Sequence, residues 1–180
     1  MPRLFVAIDF PEAVNRRLAA LCSGLARARW LPPEQFHLTL RFIGEVDGGT
    51  FADVADGLSE VACSPFSLRL GGVGHFPPRG RPRVLWVGIG ADPALTRLHG
   101  QIESRLRLLG IAPEGRKFAP HVTLARLKST PVIRVRDYLV CHDGFATETI
   151  PITSFQLYSS TLGAKAAIHR VEARYPLGVV

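Results

Sequence analysis

The apolar positions of this 180-residue chain change between a spacing of two and a spacing near 3.6, and the changes mark out its elements. Residues 4–9 form a short apolar run that predicts a buried strand. Asp9-Phe10-Pro11-Glu12 then carries the polar, proline and acidic signals of a helix start, with Val14, Leu18, Leu21 and Leu25 following at helical spacing. That helix is expected to end near Ala28, ahead of Trp30 and the Pro32-Pro33 pair. Residues 36–43 predict a strand closed by Gly44, and residues 50–62 a weaker helix that carries Gly57. Residues 66–70 alternate, and residues 84–89 read as a more continuous apolar strand. The stretch 71–83 between them reads as too rich in glycine and proline for a regular element. Asp92-Pro93 opens the strongest helical pattern, with Leu95, Leu98, Ile102, Leu106 and Leu109 on one stripe and Gly110 closing it. A strand around His121 follows, residues 132–141 fit helix and strand equally, and residues 155–159 and 167–175 predict two more strands. This order predicts an α+β fold with helices packed on antiparallel sheet. No low-complexity segment or flexible linker divides the chain, so residues 1–180 are expected to form one domain whose lobes meet near residue 90.

Composition narrows the class. At 47% hydrophobic the chain can bury a real core, which excludes disorder. Its N-terminus enters the first strand without a charged and apolar leader, and no stretch is long enough to span a bilayer. A soluble, cytoplasmic, monomeric protein without membrane association is expected. Cys22, Cys63 and Cys141 are odd in number and widely spaced, which argues against a disulfide framework or a zinc site and predicts small core residues. The formal charge is +7 and Lys117, Lys128 and Lys165 are the only lysines, so the basic surface is mostly arginine, whose planar fork suits phosphate oxygens.

The chemistry concentrates in a repeated tetrapeptide. His37-Leu38-Thr39-Leu40 and His121-Val122-Thr123-Leu124 lie 84 positions apart, near half the chain length, each after a proline-containing polar stretch with an aromatic. On strands, alternation puts His and Thr on one face and the aliphatic pair on the other. Two such strands facing one cleft offer two imidazoles to a single phosphorus. A neutral imidazole takes a proton from attacking water, and a protonated one delivers a proton to the leaving oxygen on the opposite side. The Thr39 and Thr123 hydroxyls would donate to the nonbridging oxygens. No carboxylate or cysteine stands at ligand spacing beside either motif, so metal binding ranks well below acid-base use.

With these motifs stand Arg3-Leu4-Phe5-Val6-Ala7-Ile8, the continuation Arg41-Phe42-Ile43-Gly44-Glu45-Val46, Pro120, Ala125-Arg126, and Phe155-Gln156-Leu157-Tyr158-Ser159-Ser160. Together, and in this order, they resemble the RNA 2′,3′-cyclic phosphodiesterase family, also called the bacterial 2′,5′ RNA ligase family, of the two-histidine phosphoesterase superfamily. The resemblance implies a bilobal α+β fold: a duplicated antiparallel sheet with helices packed outside, a central cleft, and pseudo-two-fold symmetry. The chain is free to cross between the lobes. It further implies His37 and His121 as the catalytic pair, Thr39 and Thr123 as phosphate ligands, and neither metal nor cofactor. Arg126 matches an arginine that follows the second motif in relatives, with a phosphate contact as its implied role. The implied reaction opens a 2′,3′-cyclic phosphate, on an RNA 3′ end or a cyclic nucleotide, to a 2′-phosphate. Its order is His121 as base and His37 as acid. Two alternatives stay open: reversible 2′,5′ ligation at the same site, and a nucleotide or RNA binding module that turns nothing over.

Several positions lie at the margin of this pattern. His169 stands where relatives usually carry an aromatic, and a sheet-surface histidine is expected there; Ala119 replaces a frequently larger polar residue. Strict alternation puts Arg41 on the His37 face and Arg126 opposite His121. Phe5 and Phe42 are expected in the core, with base stacking as the alternative. Arg79, Arg81 and Arg83 are expected in a solvated loop or along an RNA backbone.

Overall fold

The computed structural model describes residues 2–163 and 167–178. In chain order the elements are β1 (Arg3–Asp9), α1 (Glu12–Ala19), β2 (Ala28–Trp30), a 3-10 turn (Pro33–Gln35), β3 (His37–Glu45), α2 (Gly48–Ser59), β4 (Phe66–Leu68), β5 (Leu70–Phe76), β6 (Val84–Ile89), α3 (Pro93–Leu108), β7 (His121–Leu127), α4 (Val132–His142), β8 (Ile150–Ile152), β9 (Ser154–Leu162) and β10 (Ala167–Pro176). The fold is α+β, with antiparallel pairing throughout the described strands.

The main sheet runs β10-β9-β1-β3-β7-β6-β5, with β2 added to β7. β3 and β7 meet through the register pair Leu38↔Val122, the second residue of each tetrapeptide. Equivalent residues therefore pair across the junction, as they must on a two-fold axis. A second junction, β4 with β8, lies apart from the main sheet. On either side of the axis the strands are exchanged. β1 and β3 pair onward to the late strands β9 and β10, while β6 and β7 hold the earlier β5. The apolar faces of both halves and the helices close one core, including Leu38, Leu40, Leu98, Ile102, Val122 and Leu124. α3 shows how a helix buries its periodic stripe there: Leu95, Leu98, Ile102 and Leu106 are each at most 1% exposed. The Asp92 side chain caps α3 by accepting from the Leu95 N–H at 2.8 Å.

Three local expectations fail for physical reasons. α1 stops at Ala19 rather than near Ala28: the Leu21 and Cys22 N–H groups bond to the Leu18 and Ala19 carbonyls in tight turns, Gly24 and Arg27 then take positive φ, and residues 28–30 become strand β2. Leu21 and Leu25 are nevertheless buried, so core packing preserves a helical spacing that the backbone abandons. The first part of the glycine-rich stretch, residues 71–76, lies in strand β5 and needs its glycines, while residues 77–83 form no regular element, as expected. Gly72 has φ 71° within the irregularity between Leu70 and Val73, and a Cβ at Gly74 would stand 2.3 Å from the Trp86 indole. Of the cysteines, Cys63 is buried and Cys22 half-buried, but Cys141 is exposed on α4. The ambiguous 132–141 stretch is helix α4, anchored by buried Val135 and Tyr138 while Val132, Ile133 and Val140 face outward.

Candidate active site

The local geometry of the two motifs repeats in detail. On β1–β3, Asp9 pairs with His37, Ala7 with Thr39 and Phe5 with Phe42, with a register shift between Val6 and Ala7. On β6–β7, Gly88 pairs with His121, Trp86 with Thr123 and Val84 with Arg126, with a shift between Leu85 and Trp86. Each shift skips one residue, Leu40 or Leu124, and so inserts a bulge directly after the motif threonine. Burial records the consequence: Leu40 and Arg41 are consecutively buried, as are Leu124 and Ala125. The next residues, Phe42 and Arg126, are thereby turned to the His and Thr face.

This reverses the expectation from strict alternation. Arg126 is exposed on the His121 face, whereas Arg41 is 6% exposed beneath the sheet. There Arg41 pairs with Glu103 at 2.5 Å and Glu114 at 3.2 Å and donates to the Ala112 carbonyl. Its role is to tie β3 to α3 and to the loop leading into the second motif. Phe42 is 59% exposed, so it is not a core residue. Phe5 is 2% exposed yet packs on the cleft face, its ring stacked 5.0 Å from Tyr158 and 5.1 Å from His37.

His37, Thr39, His121 and Thr123 are all half-buried, with the aliphatic partner positions beneath them in the core. The His121 Nδ1–H donates to the Ala119 carbonyl oxygen at 2.7 Å, so in the neutral ring Nε2 is the unprotonated nitrogen. Burial lowers the His121 pKa; the Ala119 hydrogen bond opposes the shift and the Arg126 charge reinforces it. The Gln35 backbone, 84 positions before Ala119, serves His37 in the same way. Burial is again the dominant influence, and with His169 and His121 it pushes His37 down to about 4. The two imidazoles thus share one electrostatic neighbourhood.

Their surroundings differ. His37 lies among Phe5, Tyr158 and His169, whose ring stands edge-on at 5.7 Å, and the Tyr158 hydroxyl donates to Asp9 at 2.5 Å. His169 is therefore a cleft-side neighbour of His37 rather than a plain sheet-surface residue. His121 lies edge-on to Phe76 at 4.9 Å and near Trp86 at 6.4 Å. Trp86, Phe76, Tyr158 and Asp9 were not evident from sequence. Only the strand register brings them to the motifs, although the constant offset of 84 residues does signal that Phe42 and Arg126 are equivalent. Arg79, Arg81 and Arg83 are exposed in the turn between β5 and β6. Elsewhere, a 540 Å³ groove between α2 and α3, lined by Glu60, Arg97, Gln101 and Arg105, belongs to the helical side and touches neither motif. Among the described residues no three His, Cys, Asp or Glu side chains gather as a metal-ligand set, and no helix is long and apolar enough to cross a membrane.

Comparison with known proteins agrees with this geometry. The family model of LigT-like phosphoesterases matches twice, at residues 8–86 and 87–169. An Archaeoglobus fulgidus RNA 2′,3′-cyclic phosphodiesterase is 32% identical over 171 residues, covering 93% of this chain and 96% of its own. A Thermotoga maritima protein of the same name is 32% identical, covering 99% and 98%. Among solved structures, a Thermus thermophilus protein superposes with a TM-score of 0.82 at 29% identity, covering 97% of both chains. Escherichia coli LigT in its apo form gives 0.80 at 27%, covering 98% of both.

Proposed function

The chain belongs to the LigT-like phosphoesterase family, and on that footing we propose that it hydrolyses RNA 2′,3′-cyclic phosphate ends to 2′-phosphates with an acid-base pair of histidines. The observation that carries the reading is the Leu38↔Val122 junction, which sets two His-x-Thr faces side by side about one axis. Water attacks phosphorus as one imidazole takes its proton, the bond to the 3′ oxygen breaks, and the other imidazole protonates that oxygen. His37 and His121 are the pair. Thr39, Thr123 and Arg126 hold the nonbridging oxygens as charge develops on them.

The depressed pKa values of both histidines keep them neutral before substrate binds, which suits the base. The acid acquires its proton as the anionic phosphate enters, because a nearby negative charge favours imidazolium. Both halves of the site come from one chain, so a monomer suffices. The free cysteines fit a reducing cytoplasm. The deciding experiment is turnover of 2′,3′-cyclic AMP in EDTA with product analysis. Formation of the 2′-phosphate that disappears in the His37→Ala, His121→Ala double variant supports the reading. Turnover that survives the double substitution, or that depends wholly on added metal, would sink it.

A further inference from the structure

Resting on that reading, we propose that His99 and Phe118, braced by Arg41, are positioning residues for His121: they hold the Ala119 carbonyl that decides which nitrogen of the second imidazole carries the proton. A carbonyl oxygen only accepts, so its bond to Nδ1 requires the Nδ1–H form and leaves the lone pair on Nε2. Residues 112–120, which carry that carbonyl, are neither helix nor strand, and side chains anchor them at both ends. At the start, the Arg41 guanidinium donates to the Ala112 carbonyl and pairs with Glu114 at 3.2 Å. At the end, the Phe118 ring lies flat on the His99 imidazole, with centroids 4.0 Å apart and planes 10° from parallel. The two anchorages are one assembly. His99 and Glu103 stand one turn apart on α3 with side chains 3.9 Å from each other, and Glu103 meets Arg41 at 2.5 Å. Phe118 adjoins Ala119, so a ring held by the stack and by the core leaves the neighbouring carbonyl little freedom.

The first half fixes its own carbonyl differently. Gln35 ends the 3-10 turn, where its N–H bonds to the Pro32 carbonyl at 2.9 Å and the Phe36 N–H bonds to the Pro33 carbonyl at 3.2 Å. The positions 84 residues before His99 and Phe118 are Asn15 and Glu34, which offer no pair of rings to stack. The backbone therefore sets the carbonyl beside His37, whereas side chains set the one beside His121. One of those side chains, Arg41, comes from β3, the strand that carries His37. The first half thus braces the tautomer of the second.

The test reads the imidazole 15N signals at about pH 8, where both motif histidines are neutral, together with turnover of 2′,3′-cyclic AMP. The wild-type His121 should show a protonated Nδ1 and a lone pair on Nε2. Phe118→Ala and His99→Ala should each move His121 toward a mixture of tautomers, leave His37 as it was, and lower kcat by about tenfold to 10²-fold with KM little changed. His99→Phe keeps a flat partner for Phe118 and should hold the tautomer and kcat near the wild type. Should Phe118→Ala fail to fold, Phe118→Leu, apolar but without a ring face, reads the same effect. His121 signals that ignore these substitutions, a tautomer shift without loss of kcat, or a His99→Phe variant no better than His99→Ala would overturn the clamp. If the wild type turns over no cyclic phosphate while the His121 tautomer still follows Phe118, the hydrolase reading fails and the clamp stands.

Discussion

The two halves of the cleft share a backbone and differ in what that backbone presents. From the histidine through the bulge, every position of the first half has its counterpart 84 residues later, down to the carbonyl two residues before each histidine. The second residue after the bulged leucine is Phe42 in one half and Arg126 in the other. One step deeper, Arg41 occupies a buried site with two glutamates, where Ala125 packs in the core at 0% exposure. Duplication thus supplies the His-x-Thr geometry twice, and divergence around it separates an aromatic half from a basic one. The difference teaches which positions the two copies keep: the histidines and threonines persist, and their flanks do not.

The sharpest way to break this equivalence is to remove one imidazole at a time. His37→Ala and His121→Ala should each reduce kcat on 2′,3′-cyclic AMP by roughly 10²-fold to 10⁴-fold, the range for positioned acid-base groups. The double variant should be little worse than either single one, since the two act as a unit. Near-wild-type turnover in one single variant would mean that only one half is catalytic. Next in size is the buried divergence. Arg41→Ala leaves Glu103, with a side chain only 14% exposed, without its cation. Breaking a buried pair from one side costs about 3–5 kcal/mol, read as a shift in the denaturant midpoint. A cost under about 1 kcal/mol would show the pair to be effectively solvated. Gly74→Ala follows, because its Cβ would collide with the Trp86 indole. Overpacking of this kind costs about 1–3 kcal/mol. Unfolding that matches the wild type would show that the indole has room to move.

The facing His-x-Thr strands and the fold class were legible because they rest on local signals: a repeated tetrapeptide, helical stripes and alternation. What alternation could not deliver was the side taken by Arg41 and Arg126. A bulge is a property of the paired strands, not of β3 or β7 alone, and the skipped Leu40 and Leu124 look like ordinary strand residues. β2, three residues long, is too short to show a period and exists because β7 offers an edge. β5 was hidden by glycines that its neighbour Trp86 requires. His169 shows the same limit, since its approach to His37 depends on the β9–β10 register.

The last comparison separates the two histidines by their environments. An ordinary histidine titrates near 6.5, and His37 in the folded chain is held down to about 4. Between those values the unfolded chain binds a proton at His37 that the folded chain does not, so stability should fall as pH drops through this window and level off below about 4. Above about pH 6.5 both states are neutral and this contribution is constant. His121 and His169 are lowered in the same direction, and therefore add slopes of the same sign. Denaturant unfolding measured from about pH 7.5 to about pH 4 on the wild type, His37→Phe and His121→Phe should show the acid-side slope reduced by either substitution, and more by His37→Phe. A slope that His37→Phe leaves intact would place the destabilising proton elsewhere. A slope that falls equally in both variants would mean that the aromatic bed of Phe5, Tyr158 and His169 does not distinguish the first imidazole from the second.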